Sequence, residues 1–135
     1  MNRIFADAFY WIALSNPRDH AHTSVLDFSR QLGSSLIVTT DEVLTEFLAF
    51  CASDPPLRAA AADAVQDILG AARARVIPQS RASFLAGLEL YRARPDKGYS
   101  LTDCRSMVAL RALGITEVLT NDHHFTQEGF TILFP

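Results

Sequence analysis

The spacing of apolar positions changes repeatedly along the chain, and each change marks an element. Ile4 to Asp7 reads as a short apolar strand, followed by a helix through Phe9, Trp11, Ile12 and Leu14 that Asn16-Pro17 ends. Val25, Leu26 and Phe28 predict a second helix over His22 to Leu32, with Gly33 just past its end. Ser35 to Thr39 (SLIVT) predicts a strand, and Asp41 to Ala52 a helix. Pro55-Pro56 breaks the chain before an alanine-rich helix from Leu57 to Ala72. A strand over Arg75 to Pro78 and a helix over Ser80 to Arg92 follow. The polar loop Arg94 to Tyr99 then leads into a helix over Leu101 to Leu113, closed by Gly114. Glu117 to Thr120 and Thr131 to Phe134 are the last two strands. Strands alternating with helices predict an α/β fold, with a parallel sheet covered on both faces. No repeat, low-complexity tract or linker interrupts the pattern, so residues 1–135 read as a single domain.

Composition narrows the class. With 49% hydrophobic and 20% charged residues, the chain can offset the entropy of ordering itself, which excludes disorder. The longest apolar run, Ile4 to Leu14, is interrupted by Asp7 and falls short of the ~18 residues of a spanning helix. It also makes a poor secretory leader, since Arg3 is its only basic residue. Cys51 and Cys104 lie in apolar helical stretches and form no disulfide framework. A cytoplasmic location is the expectation. The net charge is −3, and eleven of the twelve bases are Arg, Lys97 being the sole Lys. A bulk electrostatic nucleic-acid binder would lean the other way. Contact with nucleic acid would have to be local, or run through cations that offset the chain's own carboxylates.

Ligands of open α/β sheets sit beyond the carboxyl ends of the strands, and acids collect there in this sequence. Asp7 is the only charge in the segment from Ile4 to Leu14, so its carboxylate needs a partner charge or a metal to stay ionised. Its structural alternative is an N-cap for the helix beginning at Phe9. Asp103 fits a capping box with Ser100, and Asp122 fits a turn before His123-His124. Of the two glutamates after the SLIVT strand, Glu42 pairs with Thr39 in a capping-box pattern and is expected toward solvent. Glu46 lies at the edge of a buried stripe formed by Leu44, Phe47, Leu48 and Cys51, with no structural partner. Glu46 is therefore the glutamate assigned to chemistry.

Oxygen ligands without Cys or a well-spaced His select hard cations, Mg²⁺ or Mn²⁺. Adjacent His123 and His124 rarely face one ion together, which argues against zinc. Four clustered carboxylates would repel, so one at least should hold a proton when no metal is bound. A bound ion resolves the repulsion, lowers the pKa of a water and stabilises a leaving oxygen in phosphodiester hydrolysis. No Gly-rich phosphate loop or nucleophile elbow offers a different chemistry.

The same residues carry a family resemblance. Asp7 in IFADAFYW, Glu46 in TTDEVLTEFLAF, Asp103 in DKGYSLTDCRSM and Asp122 in VLTNDHHF resemble the four acids of PIN-domain nucleases, most closely the toxins of VapBC pairs. The likeness runs through nearly the whole chain and is most specific from Asp96 to Asp122. It implies a PIN-like three-layer α/β/α sandwich with a central parallel sheet, and a Mg²⁺- or Mn²⁺-dependent endoribonuclease cutting structured RNA such as tRNA or rRNA. It also implies a homodimer and a cognate antitoxin whose tail blocks the site. Asp96 matches a position often acidic in these toxins, and Thr120 a hydroxyl that assists metal binding in some relatives. Arg92, Arg94, Lys97 and Arg105 surround the acids in sequence and are candidates for phosphate contacts. The competing expectations are a PIN nuclease of RNA processing without an antitoxin, and an inactive metal-binding or interaction domain. A phosphotransfer receiver is excluded, because Asp7 stands alone after its strand and no Lys follows Lys97.

Overall fold

The computed structural model describes residues 2–135. Five strands, β1 (Arg3–Ala6), β2 (Leu36–Thr40), β3 (Ala74–Ile77), β4 (Glu117–Leu119) and β5 (Thr131–Ile132), form one sheet in the order β3-β2-β1-β4-β5. Every pairing is parallel, with Phe5 beside Val38 on one side and Val118 on the other. Among the described residues seven helices accompany the strands: α1 (Ala8–Ser15), α2 (His22–Arg30), α3 (Asp41–Phe50), α4 (Pro55–Gly70), α5 (Arg81–Ala93), α6 (Leu101–Leu113) and α7 (His123–Gln127). The sheet is flanked by helices in α/β/α layers, as the alternation of elements requires.

The chain builds outward from β1 in one direction through β2 and β3, then returns to the other side of β1 for β4 and β5. The order therefore reverses between β1 and β4, and a crevice opens beyond their carboxyl ends. β1 is buried on both sides, with Phe5 and Ala6 wholly inaccessible. α1 is apolar almost all round and buries Ala8, Tyr10, Trp11 and Ala13 between α2, α3 and α4. The Trp11 indole N–H donates to Thr39 Oγ1 at 3.4 Å, and that hydroxyl donates to the Ala6 carbonyl at 2.9 Å. Two strands and a helix are thus tied together directly beneath Asp7.

Several elements depart from the sequence expectation. Pro55 and Pro56 open α4 instead of preceding it, because the first helical positions need no N–H and Asp54 caps the turn through Leu57. The segment after β4 is a short helix, where a turn was expected. α6 runs from Leu101 to Leu113 as expected, and Gly114 closes it at φ +66°. α5 packs closely on α6 at Gly87, where a Cβ would stand 2.4 Å from Arg105 Cγ. No helix among the described residues is long and apolar enough to cross a membrane.

Candidate metal centre

Asp7 follows β1 and Asp122 follows β4, so the crevice at the reversal of strand order is walled by carboxylates from its two central strands. Asp7 is the N-cap residue of α1 by position, yet its side chain makes no capping hydrogen bond. Instead Asp7 Oδ2 accepts from the buried Thr120 hydroxyl at 3.0 Å. The same Thr120 oxygen accepts the Asp122 backbone N–H at 3.1 Å, so one hydroxyl braces both acids. Burial pushes the Asp7 carboxyl up to about 7, against the opposing pull of Thr120 and the Ala8 amide, and the charges of Glu46 and Asp103 push the same way.

Asp103 caps its helix and also lies close to Asp122 and His124. It forms the expected capping box, with Ser100 N donating to Asp103 Oδ2 and Asp103 N donating to Ser100 Oγ, each at 3.0 Å. It is nonetheless buried with the cluster. Loss of hydration raises its pKa, Asp122 adds to the rise, and Ser100 and His124 oppose it. Glu46 stands at the mouth of the crevice. The residue is exposed as a whole, but its carboxyl leans toward the other acids and is raised by lost hydration, then by Asp103 and Asp122. Asp7, Glu46 and Asp122 line a cleft of about 670 Å³ together with Phe9, Phe50 and His124.

The glutamate expectation is half corrected. Thr40, not Thr39, caps α3 through Val43 N, so there is no capping box with Glu42. Thr39 is turned inward toward Ala6 and Trp11. Glu42 is buried, and its Oε2 lies 3.0 Å from Arg105 Nε in an ion pair that joins α3 to α6. The N–H of that nitrogen is not aimed along the line, so the contact is one of charge rather than a formed hydrogen bond. The buried stripe of α3 is Val43, Leu44, Phe47 and Cys51, while Leu48 is exposed. The face was misjudged because an ion pair can bury a Glu that periodicity alone assigns to solvent. Asp41 is occupied elsewhere and accepts from Gln79 N at 2.8 Å.

The basic residues divide. Arg105 is held by Glu42, by Ser83 Oγ at 3.0 Å and by the Phe84 ring, and its side chain is 14% exposed. Arg94 is paired with Glu128 at 3.0 Å, in a knot that Arg111 and the Tyr99 hydroxyl complete at 2.9 and 3.0 Å. Both are engaged by carboxylates of the protein itself in this arrangement. Arg92 and Lys97 are exposed, although neither is among the described residues lining the acidic cleft. Asp96 sits on the surface loop 3.8 Å from the Lys97 amine, and is likewise outside that lining.

Sequence reasoning passed over His124. Only His124 of the pair turns to the acids; His123 is exposed. His124 Nδ1 lies 3.6 Å from Asp103 Oδ2 and 3.4 Å from Asp122 Oδ1, and these three side chains could hold one ion. The usable signal was Asp122 two residues before it. As the N-cap of a helix, Asp122 accepts from His124 N at 2.9 Å and folds the imidazole back over the cap.

The PIN domain profile matches residues 4–130. The chain belongs to the PIN domain family. Its fold superposes on Mycobacterium tuberculosis VapC20, a toxin that cleaves the Sarcin-Ricin loop, with a TM-score of 0.85 and 23% identity over 95% of this chain and 96% of that one. It is also similar to a chain of Rickettsia felis VapBC2 bound to a DNA fragment from its promoter, at TM-score 0.69 and 15% identity over 96% of both chains. No curated protein matches the sequence significantly. As a PIN domain, the chain has a donor set that fits a hard divalent cation. It offers several carboxylate oxygens at one crevice, three of whose carboxyl groups are raised in pKa by burial and then by neighbouring acids, and a buried imidazole nitrogen without a hydrogen-bond partner.

Proposed function

We propose that this PIN domain is a metal-dependent endoribonuclease, the toxin of a VapBC-type pair. The observation that carries the reading is the approach of Asp7, Glu46, Asp103 and Asp122 to one another, where burial and then the neighbouring acids raise the pKa of Asp7, Glu46 and Asp103. Three acids with raised pKa at the reversal point of a parallel sheet are unfavourable for the empty protein, which suits a site made to receive positive charge. Mg²⁺ or Mn²⁺ held by these four residues would supply a water of lowered pKa and charge stabilisation for the expelled ribose oxygen.

The chain's own residues do the rest. Thr120 fixes one oxygen of Asp7 and the backbone of Asp122, so the two central ligands enter with little freedom to lose. Ser100 fixes Asp103 in the same way. Glu46, at the open mouth, is the ligand nearest arriving substrate. Phe9 and Phe50 border the cleft with apolar surface that excludes water from its flank. Arg92 and Lys97, the latter beside Asp96, are exposed for phosphate further out.

Structured RNA, tRNA or rRNA, is the proposed substrate class, and the likeness to a Sarcin-Ricin loop cleaving toxin supports it. A cognate antitoxin and a homodimer are the proposed protein partners. Leu85 and Tyr91 on α5, and Leu48 and Phe50 on α3, are large exposed side chains for such contacts. Brief induction in growing bacteria, with sequencing of the RNA 5′ ends produced, tests the reading. Growth arrest with one dominant new set of ends, relieved by the neighbouring small gene, is the expected result. Harmless expression of folded protein with no new ends refutes it.

A further inference from the structure

The acids explain a hard-cation site, but they do not explain His124. Its Nδ1 is fully shielded from solvent and has no hydrogen-bond partner, which is an expensive state for a ring nitrogen. The two carboxylate oxygens nearest to it, at 3.4 and 3.6 Å, form no hydrogen bond with it. Those separations do suit shared ligands, since two atoms each about 2.1 Å from one ion stand roughly 3.0 to 3.5 Å apart at right-angled to tetrahedral bond angles. The ring is also held from behind. Tyr99, buried and anchored by its hydroxyl to Glu128, packs edge-on against the imidazole at 5.2 Å between centroids. The Asp122 carboxylate fixes the His124 backbone N–H on the other side.

We propose that His124 is a nitrogen donor of this centre and makes it select Mn²⁺, and related first-row ions, over Mg²⁺. An all-oxygen set suits Mg²⁺, which dehydrates reluctantly and takes nitrogen poorly, whereas imidazole raises affinity along the transition series. Tyr99 is the positioning residue that keeps the nitrogen aimed inward. The proposal rests on the metal-nuclease reading, but the two can fail separately.

The test uses the whole chain and the metals alone. Pulsed EPR of the Mn²⁺-loaded protein should show modulation from a directly bound ¹⁴N, and His124→Phe should abolish it. Titration calorimetry should give a preference for Mn²⁺ over Mg²⁺ that falls at least tenfold in His124→Phe. His124→Asp should restore tight binding of both ions without the nitrogen signal. Wild-type protein that binds Mn²⁺ with no ¹⁴N modulation overturns the role of His124 and leaves the four-acid centre standing. Wild-type protein that binds neither ion overturns both readings. The wild-type spectrum needs no substitution, so a variant that failed to fold would not spare the proposal.

Discussion

Replacing Asp7 with Asn should make the metal-free protein more stable, and the gain should depend on pH in a calculable way. Asp7 is 7% exposed, and its carboxyl titrates at about 7 in the folded protein against an ordinary value of 3.8. The folded state therefore keeps a proton that the unfolded chain releases. Below 3.8 both states are protonated and the group contributes nothing; between 3.8 and 7 the penalty for ionising it grows; above 7 it is complete. A difference of about three pH units corresponds to about 4 kcal/mol at pH 8. Asn reproduces the neutral acid, since its side-chain oxygen still accepts from the Thr120 hydroxyl. Urea unfolding in EDTA should thus place Asp7→Asn about 4 kcal/mol above the parent at pH 8 and within about 1 kcal/mol of it near pH 4. Added Mn²⁺ should reverse the order, because only the parent keeps the full ligand set. A variant no more stable than the parent at pH 8, or a gain that is the same at both pH values, would refute the burial argument for Asp7.

The two glutamates of α3 separate by environment. Glu46→Gln should abolish RNA cleavage with an unchanged or higher melting temperature, while Glu42→Gln strands the Arg105 guanidinium and should cost about 3 kcal/mol in thermal or urea melts but leave cleavage measurable. Cleavage should stop in EDTA and return with Mn²⁺, and an ion present at a hundred times its dissociation constant should stabilise the protein by about 2.7 kcal/mol in a thermal shift. Glu128→Gln removes the charge and one of the two acceptor oxygens that Arg94, Arg111 and Tyr99 share, and should cost about 3 kcal/mol at neutral pH. Although burial opposes it, the hydrogen bonds from Arg94, Arg111 and Tyr99 lower the Glu128 pKa. The parent therefore holds this stabilisation above the ordinary value of 4.5 and loses it as acid takes the pH below the folded value, and urea melts of the variant should lack that acid loss.

Local signals were enough for the elements and for most of the chemistry. The alternation of short apolar runs with longer amphipathic ones requires a parallel sheet, because strands that continue into helices can only pair side by side through crossovers. Gly114, Ser100 and Asn16-Pro17 punctuate helices by backbone geometry that depends on near neighbours alone, so α6 could be placed to the residue. Asp7 stood out for a similarly local reason, as a charge inside an apolar segment has no inexpensive place to go. Strand order is a different matter. That β1 and β4 lie side by side, and so bring Asp7 to Asp122 across 115 positions, follows from packing of the whole chain.

The same division explains the misplaced residues. Glu42 and Arg105 are each polar, and each by itself belongs in water; only when α3 meets α6 do they find one another, and the pair is then buried together. Arg94 is consumed by Glu128 through a contact 34 positions away, which no spacing rule foresees. His124 shares its sequence neighbourhood with His123, and the fold decides which of the two turns inward, because Asp122 caps the short helix that carries them. The sequence by itself determined which elements form and which acids are costly to bury, since both depend on residues in contact along the chain. Only the tertiary structure decided which charges neutralise each other and which remain in the crevice, because Coulomb interaction depends on distance in space and on the water that packing removes.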